Sequence, residues 1–66
     1  MTGDEWSQLP MGEPARRALR NAGYAELMDL THVPRKAIVE LHGMGPKALG
    51  ILEAELASRG LSFRTD

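Results

Sequence analysis

The sequence predicts one small all-α domain, and three observations predict it. The 66 residues are 42% hydrophobic but hold only three aromatics (Trp6, Tyr24, Phe63). A core therefore has to come from Leu, Ile, Val, Ala and Met, which favour helices over a sheet. Proline at a helix start followed by glycine at a helix end occurs twice, as Pro14 to Gly23 and Pro46 to Gly60. No segment alternates with period two for long enough to be a strand.

Each element follows from these signals in order. Residues 1–8 are polar apart from Trp6 and are expected to form a flexible lead-in, with Trp6 a candidate cap for the core. The folded unit is expected over 9–63 and a tail over 64–66. Helix one runs from about Glu13 to Ala22, with Ala15, Ala18, Leu19 and Ala22 on one face and Arg16, Arg17 and Arg20 on the other. Gly23 closes it in the left-handed conformation, and Tyr24 folds back against Leu19. A short helix over about Ala25 to Leu30 buries Leu27 and Leu30, with Met28 a further candidate for the core. Pro34 opens a third, about Arg35 to Leu41, with Ala37, Ile38 and Leu41 inward. Pro46 opens the fourth, to about Arg59, with Ala48, Leu49, Leu52 and Leu56 along one stripe. Gly60 closes it and Leu61 folds back towards Leu56. The expected core is Leu19, Leu27, Leu30, Ile38, Leu41, Met44, Leu49, Leu52 and Leu56.

Composition excludes several classes of function. No cysteine is present, which removes disulfides, thiolate zinc and a cysteine nucleophile. No apolar run approaches the ~18–20 residues of a membrane span, and no signal-peptide pattern precedes the domain, so the expected location is cytoplasmic. Eight basic and nine acidic residues give a formal charge of −1. Contact with nucleic acid would have to depend on where charges sit rather than on their sum. His32 and His42 lie apart with no ligand-spaced partner, so neither a metal nor a cofactor is expected. His42 is expected to stabilise the turn, the alternative being donation to a phosphate. Glu53 and Glu55 point in different directions on one helix and form no acid–base pair. No enzyme activity and no catalytic residue are expected in so short a chain.

Beneath the helices lies an internal repeat. Leu9 to Pro14 and Leu41 to Pro46 both read Leu-x-x-x-x-Pro at an offset of 32 positions. Two turn-then-helix units could pack as a pseudo-twofold pair, the alternative being coincidence among common helix-boundary residues. The most specific stretch is Leu41-His42-Gly43-Met44-Gly45-Pro46-Lys47-Ala48-Leu49. Its two glycines permit unusual φ and close backbone approach, while Met44 plugs the core between them. The N–H groups around Gly45, Lys47 and Ala48 then face outward at a positive helix end, an anion site to which Lys47 adds a full charge. The plain alternative is a tight interhelical turn.

This stretch resembles the helix-hairpin-helix motif of sequence-tolerant DNA-binding proteins, whose hairpin reads apolar-x-Gly-apolar-Gly with a basic residue soon after. The likeness extends over Met11 to Phe63, which look like the C-terminal domain of the bacterial RNA polymerase α subunit. The carrying residues are Ala18-Leu19, Asp29-Leu30, the hairpin Gly43 to Leu49, and the closing Leu56-Ala57-Ser58-Arg59-Gly60-Leu61-Ser62. The resemblance implies a compact four-to-five-helix, SAM-like fold of two pseudo-symmetric repeats. It also implies contact with duplex DNA at its phosphates and minor groove, and docking to transcription factors. By position, the phosphate-binding hairpin is Gly43, Gly45, Lys47 and Ala48, with the start of helix one as companion surface. There the family's groove-reading arginine is replaced by Pro14 and its asparagine by Arg17, which implies weak, largely sequence-independent binding. Arg16 and Arg17 are candidate phosphate contacts, although an arginine cluster is by default a solvated helix face. A protein-interaction module that docks to a transcription or repair protein is the second expectation. A monomer is expected in either case.

Overall fold

Proline and glycine punctuation sets the helices where the sequence places them. The computed structural model describes residues 5–65. It holds α1 (Glu13–Asn21), α2 (Leu27–Leu30), α3 (Arg35–Val39) and α4 (Pro46–Ser58), preceded by a 3-10 turn over Glu5–Gln8. The two prolines sit in the first turns of α1 and α4, where a missing N–H costs nothing. Both helices end alike. Tyr24 N–H donates to Leu19 O at 3.0 Å and Leu61 N–H to Leu56 O at 2.8 Å, across Gly23 and Gly60 at positive φ. Tyr24 and Leu61 then pack on the core.

The shorter helices are trimmed relative to expectation. Helix α2 begins at Leu27, because the Ala25 and Glu26 N–H groups donate to Asp29 Oδ2 at 2.9 and 3.1 Å and hold that segment extended. Helix α3 stops at Val39, and Leu41 follows on a turn bonded to Ile38 O. Among the described residues there is no strand, only an isolated parallel bridge between Pro34 and Arg64.

Helix α4 runs through the middle of the core. Its Leu49, Leu52 and Leu56 are buried together with Leu19, Leu27, Leu30 and Ile38, as the helical faces predict. Leu41 and Met44 are only half-buried, packed on the outside of that cluster. Ala22 and Met28 face outward.

The largest departure is at the N-terminus. The lead-in expected over 1–8 is structured from Glu5 onward (Met1 to Asp4 lie outside the described residues). Trp6 is fully buried and its indole N–H donates to Tyr24 O at 2.8 Å. Leu9 and Met11 follow it into the core. Glu5 secures the turn from the other side: Oε1 accepts Leu27 N–H at 2.7 Å and Oε2 accepts Arg59 Nη1 at 2.9 Å. These two bonds hold the Glu5 carboxyl below the ordinary glutamate range, the Leu27 N–H contributing most, and the same ion pair raises Arg59. At the other end Phe63 is buried, and Arg64 N–H donates to Val33 O at 2.9 Å. What was expected as a tail from 64 is thus bonded at Arg64.

The repeat expected at an offset of 32 does not pair equivalent buried positions. Pairing Pro14 with Pro46 sets buried Leu19 against half-buried Ile51. Moving by one position pairs the N-caps Gly12 and Gly45, the buried alanines Ala15 and Ala48, and the fully buried Leu19 and Leu52. Buried positions and caps define an offset of 33, because proline is tolerated at either of the first two helical positions and so does not fix the register.

Leu52→Ala is expected to destabilise the domain by ~2–5 kcal/mol, since its side chain is fully buried in the central helix. Denaturant titration checks it, and a loss below ~0.5 kcal/mol would contradict the packing. Acid should weaken the N-terminal clasp. A carboxyl whose folded pKa is depressed contributes stability that is present above its unfolded value, about 4.3 for glutamate, and lost as pH falls through the folded value. Glu5→Gln should therefore flatten the fall of melting temperature between about pH 5 and 3. An unchanged acid limb would show that the Glu5 pair does not contribute.

Candidate nucleic-acid interface

The hairpin between α3 and α4 is held against the start of α1 by backbone alone. Gly43 has φ +96°, and a Cβ there would lie 2.8 Å from Pro14 O. Only glycine fits, first for its left-handed conformation and second for this approach. Gly45 is different. Its φ is −108°, a Cβ would meet nothing within 4 Å, and it serves as the extended N-cap of α4. The expectation that both glycines supply unusual geometry holds for Gly43 alone.

Beyond Gly45 the backbone opens outward. The Gly45, Lys47 and Ala48 N–H groups make no hydrogen bond among the described residues, and no side chain caps the helix. Leu49 N–H closes the first helical bond, onto Gly45 O at 3.0 Å. Ala48 contributes through its backbone only, because its side chain is buried, while Lys47 is exposed and carries no ion pair among the described residues. Free N–H groups at a positive helix end beside an unengaged ammonium form an arrangement suited to a phosphate oxygen. Gly45, Lys47 and Ala48 adjoin one another at this helix start, while Gly43 faces the cleft towards α1.

The two arginines part company. Arg16 turns back to the N-terminal turn, where Nε donates to Trp6 O at 2.9 Å and Nη2 to Leu9 O at 2.8 Å. It also pairs with Glu13 at 3.3 Å. Its guanidinium is committed to two carbonyls that also accept the Leu9 and Met11 N–H groups, so Arg16 drops out of the phosphate-contact set. Arg20 meets Glu13 too, at 3.5 Å, which leaves that carboxylate neutralised at the start of α1. Arg17 is exposed, with no such partner among the described residues.

Arg17 stands in a shallow cleft of about 520 Å³. Pro14, Arg17, Ala18, Asn21 and Ala22 form one wall and Leu41, His42 and Gly43 the other. Asn21 was absent from the expected site, although its spacing of four residues from Arg17 places both on one helix face. His42, expected to stabilise the turn, makes no hydrogen bond among the described residues and lines the cleft instead. A second cleft of about 190 Å³ lies between α3 and α4, with Arg35, Val39 and Met44 along it. Arg35 itself is paired to Glu53 at 2.6 Å. Among the described residues no cluster of His, Asp or Glu has the make-up of a metal site, and no helix is long and apolar enough to cross a membrane.

In comparison with known proteins, the chain matches no protein-family model, no curated protein and no solved structure.

The two hairpin glycines should respond differently to a methyl group. Gly43→Ala combines a strained φ with a backbone overlap and is expected to cost at least ~1–3 kcal/mol. Gly45→Ala should cost under ~1 kcal/mol, the loss of a favourable cap residue. Equal losses in parallel denaturation curves would refute the distinction.

Proposed function

We propose that this chain is a non-enzymatic DNA-binding module of the helix-hairpin-helix kind, similar to the C-terminal domain of the RNA polymerase α subunit and related to transcription. It holds duplex DNA weakly by its phosphates, with the hairpin lying over the minor groove. The observation that carries this reading is the start of α4. Three N–H groups at Gly45, Lys47 and Ala48 have no partner among the described residues and adjoin the unengaged Lys47 ammonium, while the preceding Gly43 packs against Pro14 of α1, the helix that carries the exposed Arg17. The two-repeat architecture fits the same reading through the N-cap pair Gly12 and Gly45, which begin equivalent helices with equivalent buried residues.

The module is expected to be indifferent to sequence. Pro14 stands where the family it resembles presents an arginine to the minor groove. Proline carries no charge and no donor, so it cannot sense the deeper negative potential of a narrow A·T tract. Arg17 reaches a phosphate, and phosphate contacts position a protein without specifying bases. A net charge of −1 limits the number of such contacts.

A second reading is a protein-interaction module for a transcription or repair protein. The exposed Val39 beside the α3–α4 cleft, 43% accessible, favours it.

Titration of a short labelled duplex separates the two. The natural protein is expected to bind in the range ~10⁻⁴–10⁻⁶ M, to weaken with added salt, and to differ less than about tenfold between A·T-rich and G·C-rich duplexes. Lys47→Glu should abolish binding while the helical circular dichroism stays unchanged. Retained affinity in that variant would remove the hairpin from the contact surface. No binding by the natural protein would leave the protein-interaction reading.

A further inference from the structure

The cleft between α1 and the hairpin presents donors that the hairpin itself does not use. Arg17, Asn21 and His42 bring a guanidinium, a carboxamide and an imidazole to one concavity. None of the three side chains makes a hydrogen bond or ion pair among the described residues, and no carboxylate lines the cleft. The nearest acidic side chain in sequence on α1, Glu13, is taken by Arg16 and Arg20. Between the donors the surface is apolar and low, formed by Ala18, Ala22 and Leu41. Such a floor lowers the local dielectric and strengthens a charge-assisted hydrogen bond made across it.

These features discriminate among occupants. A cation would face Arg17 with no counter-charge. An uncharged apolar ligand would cover Arg17 without pairing it, at the cost of desolvating a charge. An anion satisfies all three donors at once, since a phosphate oxygen accepts from guanidinium, amide and imidazole alike. The cleft is also continuous with the hairpin, because Gly43 lines it and lies against Pro14. Gly43 lies two residues before the N-cap Gly45, so the cleft adjoins the segment that leads into the start of α4.

We propose that Asn21 and His42 join Arg17 to form a second phosphate seat for the DNA strand held by the hairpin. The proposal rests on the DNA-binding reading and adds two contact residues and a separate site to it. One phosphate is shared by the three side chains, whereas Lys47 holds another.

Fluorescence anisotropy of a labelled duplex, measured across a salt series, tests this with the full chain. Asn21 and His42 are exposed, so their substitution leaves the core untouched, and circular dichroism verifies the fold of each variant. Asn21→Asp sets a carboxylate in the seat and is expected to weaken binding about tenfold and to lower the salt slope by about 0.9. Arg17→Gln should do the same. The Arg17→Gln, His42→Gln pair should be no weaker than Arg17→Gln alone, because both side chains serve one phosphate. Arg17→Gln with Lys47→Gln should multiply the separate losses. If Asn21→Asp and His42→Gln bind like the natural protein while Lys47→Glu does not bind, the seat is overturned and the hairpin reading stands. Strictly multiplicative losses for Arg17 and His42 also overturn a shared seat. Normal binding by Lys47→Glu overturns the DNA-binding reading at the hairpin.

Discussion

A fully buried indole near the start of the chain fixes where everything else goes. Trp6 is the largest side chain in a core made mostly of aliphatic residues, and it brings a polar N–H that must be matched inside. Tyr24 O matches it, which fixes the turn after α1 at the edge of the ring. The carbonyls of Trp6 and Leu9 are received by Arg16, so α1 is oriented by its own side chain against the segment that precedes it. Glu5 completes the clasp by joining the first turn of α2 to the end of α4. In a domain this small, aliphatic burial alone leaves little margin over chain entropy, and these polar ties orient the helices around a single large ring.

The parts legible in the sequence are those set by local chemistry. Helices α1 and α4 start at proline and end at glycine because those residues act on their own φ and their own N–H, with no need of a distant partner. The buried stripe of α4 was visible for the same reason, in its helical spacing. The clasp was not legible. Glu5 and Arg59 lie 54 positions apart, and Trp6 and Tyr24 are 18 apart, and nothing near either residue announces its partner. A polar stretch with one tryptophan therefore reads as a loose leader when it is the keystone of the core.

The candidate site divides along the same line. Gly43 to Ala48 form one contiguous stretch, so their collective geometry could be anticipated from sequence. Gly43 and Gly45 look equivalent as letters, but only one of them meets another helix. Arg16 and Arg17 look equivalent too, and neighbouring positions on a helix point about 100° apart. That rotation sends one guanidinium to backbone carbonyls and leaves the other beside the cleft. His42 could be read from the sequence as a phosphate donor, whereas Asn21 became visible only when α1 and the hairpin were brought together.

The clasp has a consequence for how this domain can come apart. Hydrogen bonds tie Glu5 to Arg59 and Arg64 to Val33, so the first described residues grip the end of the last helix while the final ones grip the middle of the chain. Cut after Val33, neither half of the sequence contains both sides of either bond. Nor does either half contain a whole hydrophobic cluster, since Trp6, Leu30, Leu52 and Phe63 all meet in one. A nascent chain therefore has no stable sub-assembly to rest in until its last turn is available. Folding is therefore expected to be all-or-none, with the geometry of the hairpin dependent on contacts from both ends of the described chain.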